Sequence, residues 1–120
     1  MGCSMSQYRI LIVEDEPLIA MMLEDYVLSL GHEVLGPCES VAQTLEAVES
    51  ETFDLAILDV NLQGESVWPA ATKLAEKGIP FVLASGGHVE PPPREFADIP
   101  LIHKPYTVDR VAPVIAEALA

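Results

Sequence analysis

Short apolar segments alternate with longer amphipathic segments along the whole chain, and this alternation restricts the possible folds more than any other feature. Residues 10–13 and 55–58 are apolar at every position, as expected for strands that are covered on both faces. Strands are predicted at 9–13, 33–36, 55–58, 81–84 and 101–103. Strands that alternate with helices are typical of an α/β domain with a parallel sheet and right-handed crossovers.

The helix boundaries are marked by residues that suit helix ends. Pro17 is compatible with the first turn of the first helix, and Gly31 with the exit from it. The second helix opens at residues 40–43 with a capping box, in which a serine and a glutamine satisfy backbone N–H groups. A third helix is predicted from about residue 66 to 77, and a last one from Thr107. The 120 residues are enough for one such domain.

The composition excludes several classes of function. With 19 acidic and 6 basic residues, the formal net charge is −13, so the surface repels nucleic acid. No apolar run approaches the roughly 20 residues of a membrane-spanning helix, and the N-terminus lacks a secretory signal pattern. Two cysteines form no disulfide framework, which favours a cytoplasmic protein. We expect residues 1–7 to be disordered and residues 8–120 to form the domain.

Residues with chemical potential follow the predicted strands. Glu14 and Asp15 come after the first strand, Asp59 after the third, Ser85 after the fourth and Lys104 after the fifth. In open parallel sheets, ligands bind beyond the carboxyl ends of the strands. The pattern therefore predicts that several carboxylates, a hydroxyl and an ammonium group meet at one edge of the sheet.

These residues resemble the receiver domain of bacterial two-component response regulators. The resemblance extends from about Tyr8 to Leu119 and rests on Glu14-Asp15, on Asp59 after LAIL, on Ser85 after FVLA and on the HKPY motif. It implies a flavodoxin-like, doubly wound, five-stranded parallel sheet with the strand order 2-1-3-4-5. It also implies a signalling protein rather than an enzyme, because such a domain assists only its own phosphorylation and dephosphorylation.

The resemblance assigns a role to each acidic residue. Asp59 would accept a phosphoryl group from a histidine kinase or a histidine phosphotransfer protein. Mg²⁺, for which Mn²⁺ could substitute, would be bound directly by Asp15 and Asp59, through water by Glu14, and by the backbone carbonyl of Asn61, because this ion takes oxygen ligands.

Three further residues match the motifs of the family. Lys104 would pair with Asp59 and then with the phosphoryl oxygens. Ser85 would donate its hydroxyl to the same oxygens. Tyr106 would be the switch aromatic, which turns inward when the hydroxyl moves toward the phosphoryl group.

The chain departs from many receivers between residues 86 and 100. This segment, GGHVEPPPREFADIP, contains two glycines and four prolines. Successive prolines favour extended geometry and exclude an ordinary helix interior. We therefore predict a shortened or disordered fourth helix. Because many receivers dimerise through that helix, we expect a monomer or a weak dimer.

The first helix contains apolar residues that the predicted inward face does not need. The pattern places Ala20, Met21 and Leu28 on the outer surface, and exposed apolar residues beside an active site often mark a docking surface. The resemblance implies that kinase or phosphotransfer domains dock beside the first helix. We therefore predict that these three residues contact such a partner.

Two other functions remain open. A degenerate receiver could act as an interaction scaffold without phosphorylation, although Asp15, Asp59, Ser85 and Lys104 are all present. A flavin- or nucleotide-binding module of similar topology would need a glycine-rich loop after the first strand, where this chain has acids. Since the chain ends soon after its last helix, we expect the signal to pass to an unknown downstream protein by direct contact.

Overall fold

A computed structural model of the chain describes residues 7–85, 93–103 and 107–119. The strands are β1 (Arg9–Val13), β2 (Glu33–Cys38), β3 (Leu55–Asp59), β4 (Asn61–Leu62), β5 (Glu65–Ser66), β6 (Phe81–Ser85) and β7 (Leu101–His103). The helices are α1 (Pro17–Ser29), α2 (Val41–Ser50), α3 (Trp68–Glu76) and α4 (Val108–Leu119), with a 3₁₀ turn at Arg94–Phe96. Apart from Gln7, the N-terminal segment that was predicted to be disordered lies outside the described residues.

Five strands form one parallel sheet in the order β2-β1-β3-β6-β7. Strands β4 and β5 form a separate antiparallel hairpin, so the order of the main sheet is the predicted 2-1-3-4-5. Helices α1 and α4 contribute buried residues to the core on one face, and α2 and α3 to the core on the other. The predicted flavodoxin-like, doubly wound α/β fold is confirmed.

Strands β3 and β6 are longer than the sequence predicts, and the residue added to each is a candidate site residue. Strand β3 includes Asp59 and β6 includes Ser85, each one residue beyond the predicted end. The third helix begins at Trp68 instead of about residue 66, because residues 61–66 form the hairpin. Both candidate site residues therefore lie in strands that are buried along their whole length.

The shortened fourth helix is confirmed for the part of the segment that the structure describes. Residues 93–100 contain only the three-residue 3₁₀ turn, while residues 86–92 lie outside the described ranges. Phe96 anchors the turn: its ring stacks on Trp68 at 5.7 Å between centroids and meets the edge of Phe81 at 5.8 Å. This aromatic contact holds the 3₁₀ turn at Arg94–Phe96 against α3.

Of the three residues of α1 that were predicted to face outward, one is buried and two are exposed. Ala20 was predicted to face outward, but it is 1% exposed. It lies three residues before Leu23 and seven before Val27, which places all three on the buried face. Met21 and Leu28 are 52% and 55% exposed, as predicted. Among the helices of the described ranges, none has the length and apolarity to cross a bilayer.

Candidate metal centre

Three carboxyl groups meet at the carboxyl ends of β1 and β3. These strands are neighbours, with Val13 paired to Leu58, so Glu14, which follows β1, and Asp59, the last residue of β3, lie side by side. Glu14, Asp15 and Asp59 each place a carboxylate oxygen within 4.8 Å of the others. The sequence predicted this convergence, and the distances agree with it.

Each of these carboxyl groups is oriented by a backbone N–H group. Such charge-assisted hydrogen bonds restrict the carboxylate to one orientation and offset part of its negative charge. The contacts are Glu16 N–H to Glu14 Oε2 (3.2 Å), Gln63 N–H to Asp15 Oδ2 (2.8 Å) and Asn61 N–H to Asp59 Oδ1 (3.2 Å).

The donor set fits a small, hard divalent cation. Glu14 is 0% and Asp59 is 4% exposed, so water screens the repulsion between them poorly. Burying charged groups is unfavourable unless they are paired or bind a metal. The cluster offers oxygen donors only, which are the ligands that Mg²⁺ prefers. These three residues could therefore hold such an ion.

The other predicted site residues are placed as follows. Ser85 ends β6, is buried, and follows Ala84, the partner of Asp59 in the sheet register. The backbone N–H of Asn61 contacts Asp59, and its exposed side chain accepts a hydrogen bond from Gly64 N–H at 3.0 Å. Lys104 and Tyr106 lie outside the described residues, so their roles stay predictions.

The hairpin beside the cluster was not predicted from the sequence. Its two-residue turn has positive φ at both central positions, 52° at Gln63 and 85° at Gly64. Turns of this kind are the favoured connection of tight hairpins, and an Asn-Gly or Asp-Gly pair is their usual signature. The Gln63-Gly64 pair is a weaker form of that signal, and the strands are only two residues long.

Comparisons with known proteins agree with the fold. Residues 10–97 match the family described as the response regulator receiver domain. LytR of Staphylococcus haemolyticus is 35% identical over 108 residues, which cover 86% of this chain and 42% of LytR. PhyR of Methylorubrum extorquens is 37% identical, and the match covers 92% of this chain and 43% of PhyR. The chain thus spans less than half the length of these two relatives.

Solved structures lead to the same family. The solution structure of SdrG from Sphingomonas melonis Fr1 is 47% identical, with a TM-score of 0.85 over 98% of this chain and 100% of that chain. The crystal structure of PhyR from Brucella abortus is 33% identical, with a TM-score of 0.79 over 95% of this chain and 48% of that chain. With its parallel sheet and its cluster of acids at the strand ends, the chain belongs to the response regulator receiver domain family.

Proposed function

We propose that this domain accepts a phosphoryl group on Asp59 from the histidine of a kinase or of a phosphotransfer protein. The observation that carries the proposal is the position of Asp59, which ends a buried strand within 4.8 Å of carboxylate oxygens of Glu14 and Asp15. Residues 8–120 would form the receiver unit of a two-component pathway in the cytoplasm.

The reaction requires an oxygen nucleophile in a fixed position. A carboxylate oxygen of Asp59 attacks phosphorus, and a P–O bond forms as the P–N bond to the histidine breaks. The electron pair of the broken bond goes to the imidazole nitrogen. Asp59 is suited to this step because β3 is buried along its whole length and the Asn61 N–H group orients one carboxylate oxygen at 3.2 Å.

The residues that would hold Mg²⁺, or Mn²⁺ in its place, are Glu14, Asp15 and Asp59, with the backbone carbonyl of Asn61 as a further ligand. When bound, the cation offsets the negative charge of the acceptor and of the phosphoryl oxygens. Ser85 ends the strand next to β3, which supports its role as a hydroxyl donor to the phosphoryl oxygens. We retain Lys104 as their ammonium partner and Tyr106 as the switch aromatic.

Helix α1 supports the proposed contact with the phosphodonor. It begins two residues after Asp15, so its first turns lie next to the acidic cluster. Met21 and Leu28 are exposed, and so is Leu18, at 66%. Apolar side chains exposed beside a reaction site are typical of a docking surface. We propose that a kinase or phosphotransfer domain packs against Met21 and Leu28.

The relatives support an output through protein contact. The solution structure of a BeF₃-activated conformation has been described for SdrG, 48% identical to this chain. PhyR from Bartonella quintana, 28% identical, is described as an anti-anti-sigma factor. We propose that the phosphorylated domain likewise changes conformation and binds a downstream protein. The net charge of −13 supports a protein rather than a nucleic acid as that partner.

The acceptor role can be tested by intact mass spectrometry. The protein is incubated with Mg²⁺ and acetyl phosphate, and a mass gain of one phosphoryl group is expected. Asp59→Asn should abolish the gain, whereas Asp98→Asn, a change in an exposed loop residue, should preserve it. If no donor produces a mass gain in the wild-type protein, the phosphorylation-independent scaffold is the better account.

The docking surface can be tested separately. Met21→Glu should slow phosphotransfer from a phosphorylated histidine domain, because a charge replaces an apolar contact, and leave labelling by acetyl phosphate unchanged. Val108→Glu is the matched control, since Val108 is also an exposed apolar helix residue but lies on α4. Equal phosphotransfer rates in the two variants would contradict the contact.

A further inference from the structure

The hairpin β4–β5 contacts the acidic cluster through its tip. The Gln63 N–H group donates to Asp15 Oδ2 at 2.8 Å, although the two residues are 48 positions apart. Asp15 is the one member of the cluster that is not buried. Its side chain therefore has more rotational freedom than Glu14 or Asp59, and a short hydrogen bond reduces that freedom most effectively at this position.

The direction of the Gln63 N–H group is set by the turn. Both central residues have positive φ, and the Gly64 N–H group is bound at 3.0 Å by the Asn61 side chain. The glycine makes the conformation accessible, since a side chain at φ +85° would be strained. A change in this turn would redirect the N–H group away from Asp15.

The base of the hairpin is rigid, so the tip has a fixed position. The Val67 N–H group donates to the Val60 carbonyl at 3.0 Å. Leu62 and Val67 are fully buried in the core. The hairpin is thus anchored next to Asp59 and extends to Asp15.

We propose that the hairpin of residues 61–66 positions the Asp15 carboxylate for the cation, with Gln63 and Gly64 as positioning residues. This inference rests on the proposed function, because it assumes that the cluster binds Mg²⁺. Gln63, Gly64 and Glu65 are exposed, so packing against the core does not account for the position of the hairpin tip. The hydrogen bond to Asp15 explains why the tip lies there.

A pair of glycine variants separates this role from stability. Gly64→Ala and Gly78→Ala both place a methyl group at positive φ, +85° and +71°, where no atom lies within 4 Å. The two changes impose similar backbone strain, but only Gly64 is part of the hairpin. Isothermal titration with Mg²⁺ should give a dissociation constant about tenfold higher for Gly64→Ala, as for other changes in groups that orient metal ligands. Gly78→Ala should match the wild-type protein.

A measurement on the wild-type protein completes the test. The Gln63 amide proton of the wild-type protein should be protected from hydrogen exchange, with and without Mg²⁺, and this result does not depend on the folding of a variant. Loss of protection in Asp15→Ala is also expected.

The outcomes distinguish this inference from the proposed function. Wild-type binding of Mg²⁺ with equal affinities for Gly64→Ala and Gly78→Ala would overturn the positioning role alone, and so would an unprotected Gln63 amide. If the wild-type protein bound no Mg²⁺, the proposed cation site would be wrong, and the positioning role with it.

Discussion

Gly36 of β2 lies close to the backbone of β1, and its replacement by alanine should strongly destabilise the domain. Its φ is +101°, and an added Cβ would lie 2.7 Å from the Ile12 carbonyl oxygen and 3.0 Å from the Cys38 nitrogen. Both atoms belong to the backbone, so neither can move without distorting the sheet. The pairing of β1 with β2 shifts its register at this point, between Leu11 and Val13.

Two terms contribute to the expected loss for Gly36→Ala. An alanine at positive φ costs about 1–2 kcal/mol, and forcing a methyl group against fixed backbone adds about 1–3 kcal/mol. The free energy of unfolding should therefore fall by about 2–5 kcal/mol, a large part of the roughly 5–15 kcal/mol of an ordinary domain. The effect should extend to the site, because the Cys38 carbonyl accepts the Glu14 N–H group at 2.9 Å.

Urea denaturation followed by tryptophan fluorescence measures the loss. Gly31→Ala is the control, since Gly31 has a φ of +89° but no atom within 4 Å of an added Cβ. Gly31→Ala should lose only the free energy that an alanine at positive φ costs. If the two variants lost the same free energy of unfolding, the steric argument for Gly36 would be wrong.

Three further predictions follow from other contacts. Phe96→Leu removes ring contacts with Trp68 and one other aromatic residue. In urea denaturation it should lower the free energy of unfolding by about 1–3 kcal/mol. An unchanged midpoint of the urea transition would contradict this prediction. Hydrogen bonds from two lysines lower the pKa of Glu49 from 4.5, so its contribution to stability is present above that value and disappears as the pH falls through the folded pKa. The melting temperatures of the wild-type protein and Glu49→Gln should accordingly differ slightly at neutral pH and low salt and converge in acid; a constant difference would contradict the ion pair. Burial raises the pKa of the Cys38 thiol, so iodoacetamide at neutral pH should modify it slowly in the folded protein and rapidly in urea, and equal rates would count against its burial.

The features that the sequence predicted correctly depend on local pattern. Continuous apolar runs at 10–13 and 55–58 indicate strands buried on both faces, and such strands require helices on both sides of a parallel sheet. Once the sheet is parallel, the carboxyl ends of neighbouring strands share one edge. That is why the proximity of Asp15 and Asp59 could be predicted from the sequence, without a measured distance between them.

Ala20 was misplaced because residues at the border of an amphipathic face are ambiguous in a sequence. A small apolar residue is compatible with either side of the helix, and the tertiary packing decides which side is covered. The burial of Ala20 beside Leu23 and Val27 follows from the way α1 packs against the sheet and α4.

The hairpin and the aromatic contact of Phe96 were decided by tertiary structure alone. Two-residue strands carry no periodic signal, and the bond between Gln63 and Asp15 joins residues 48 positions apart. The ring of Phe96 is likewise held by residues of α3 and β6. The sequence by itself determined the layered α/β fold and the edge at which the acids meet, since both follow from local hydrophobic pattern. Only tertiary structure determined how those acids are oriented, because that depends on contacts between distant segments.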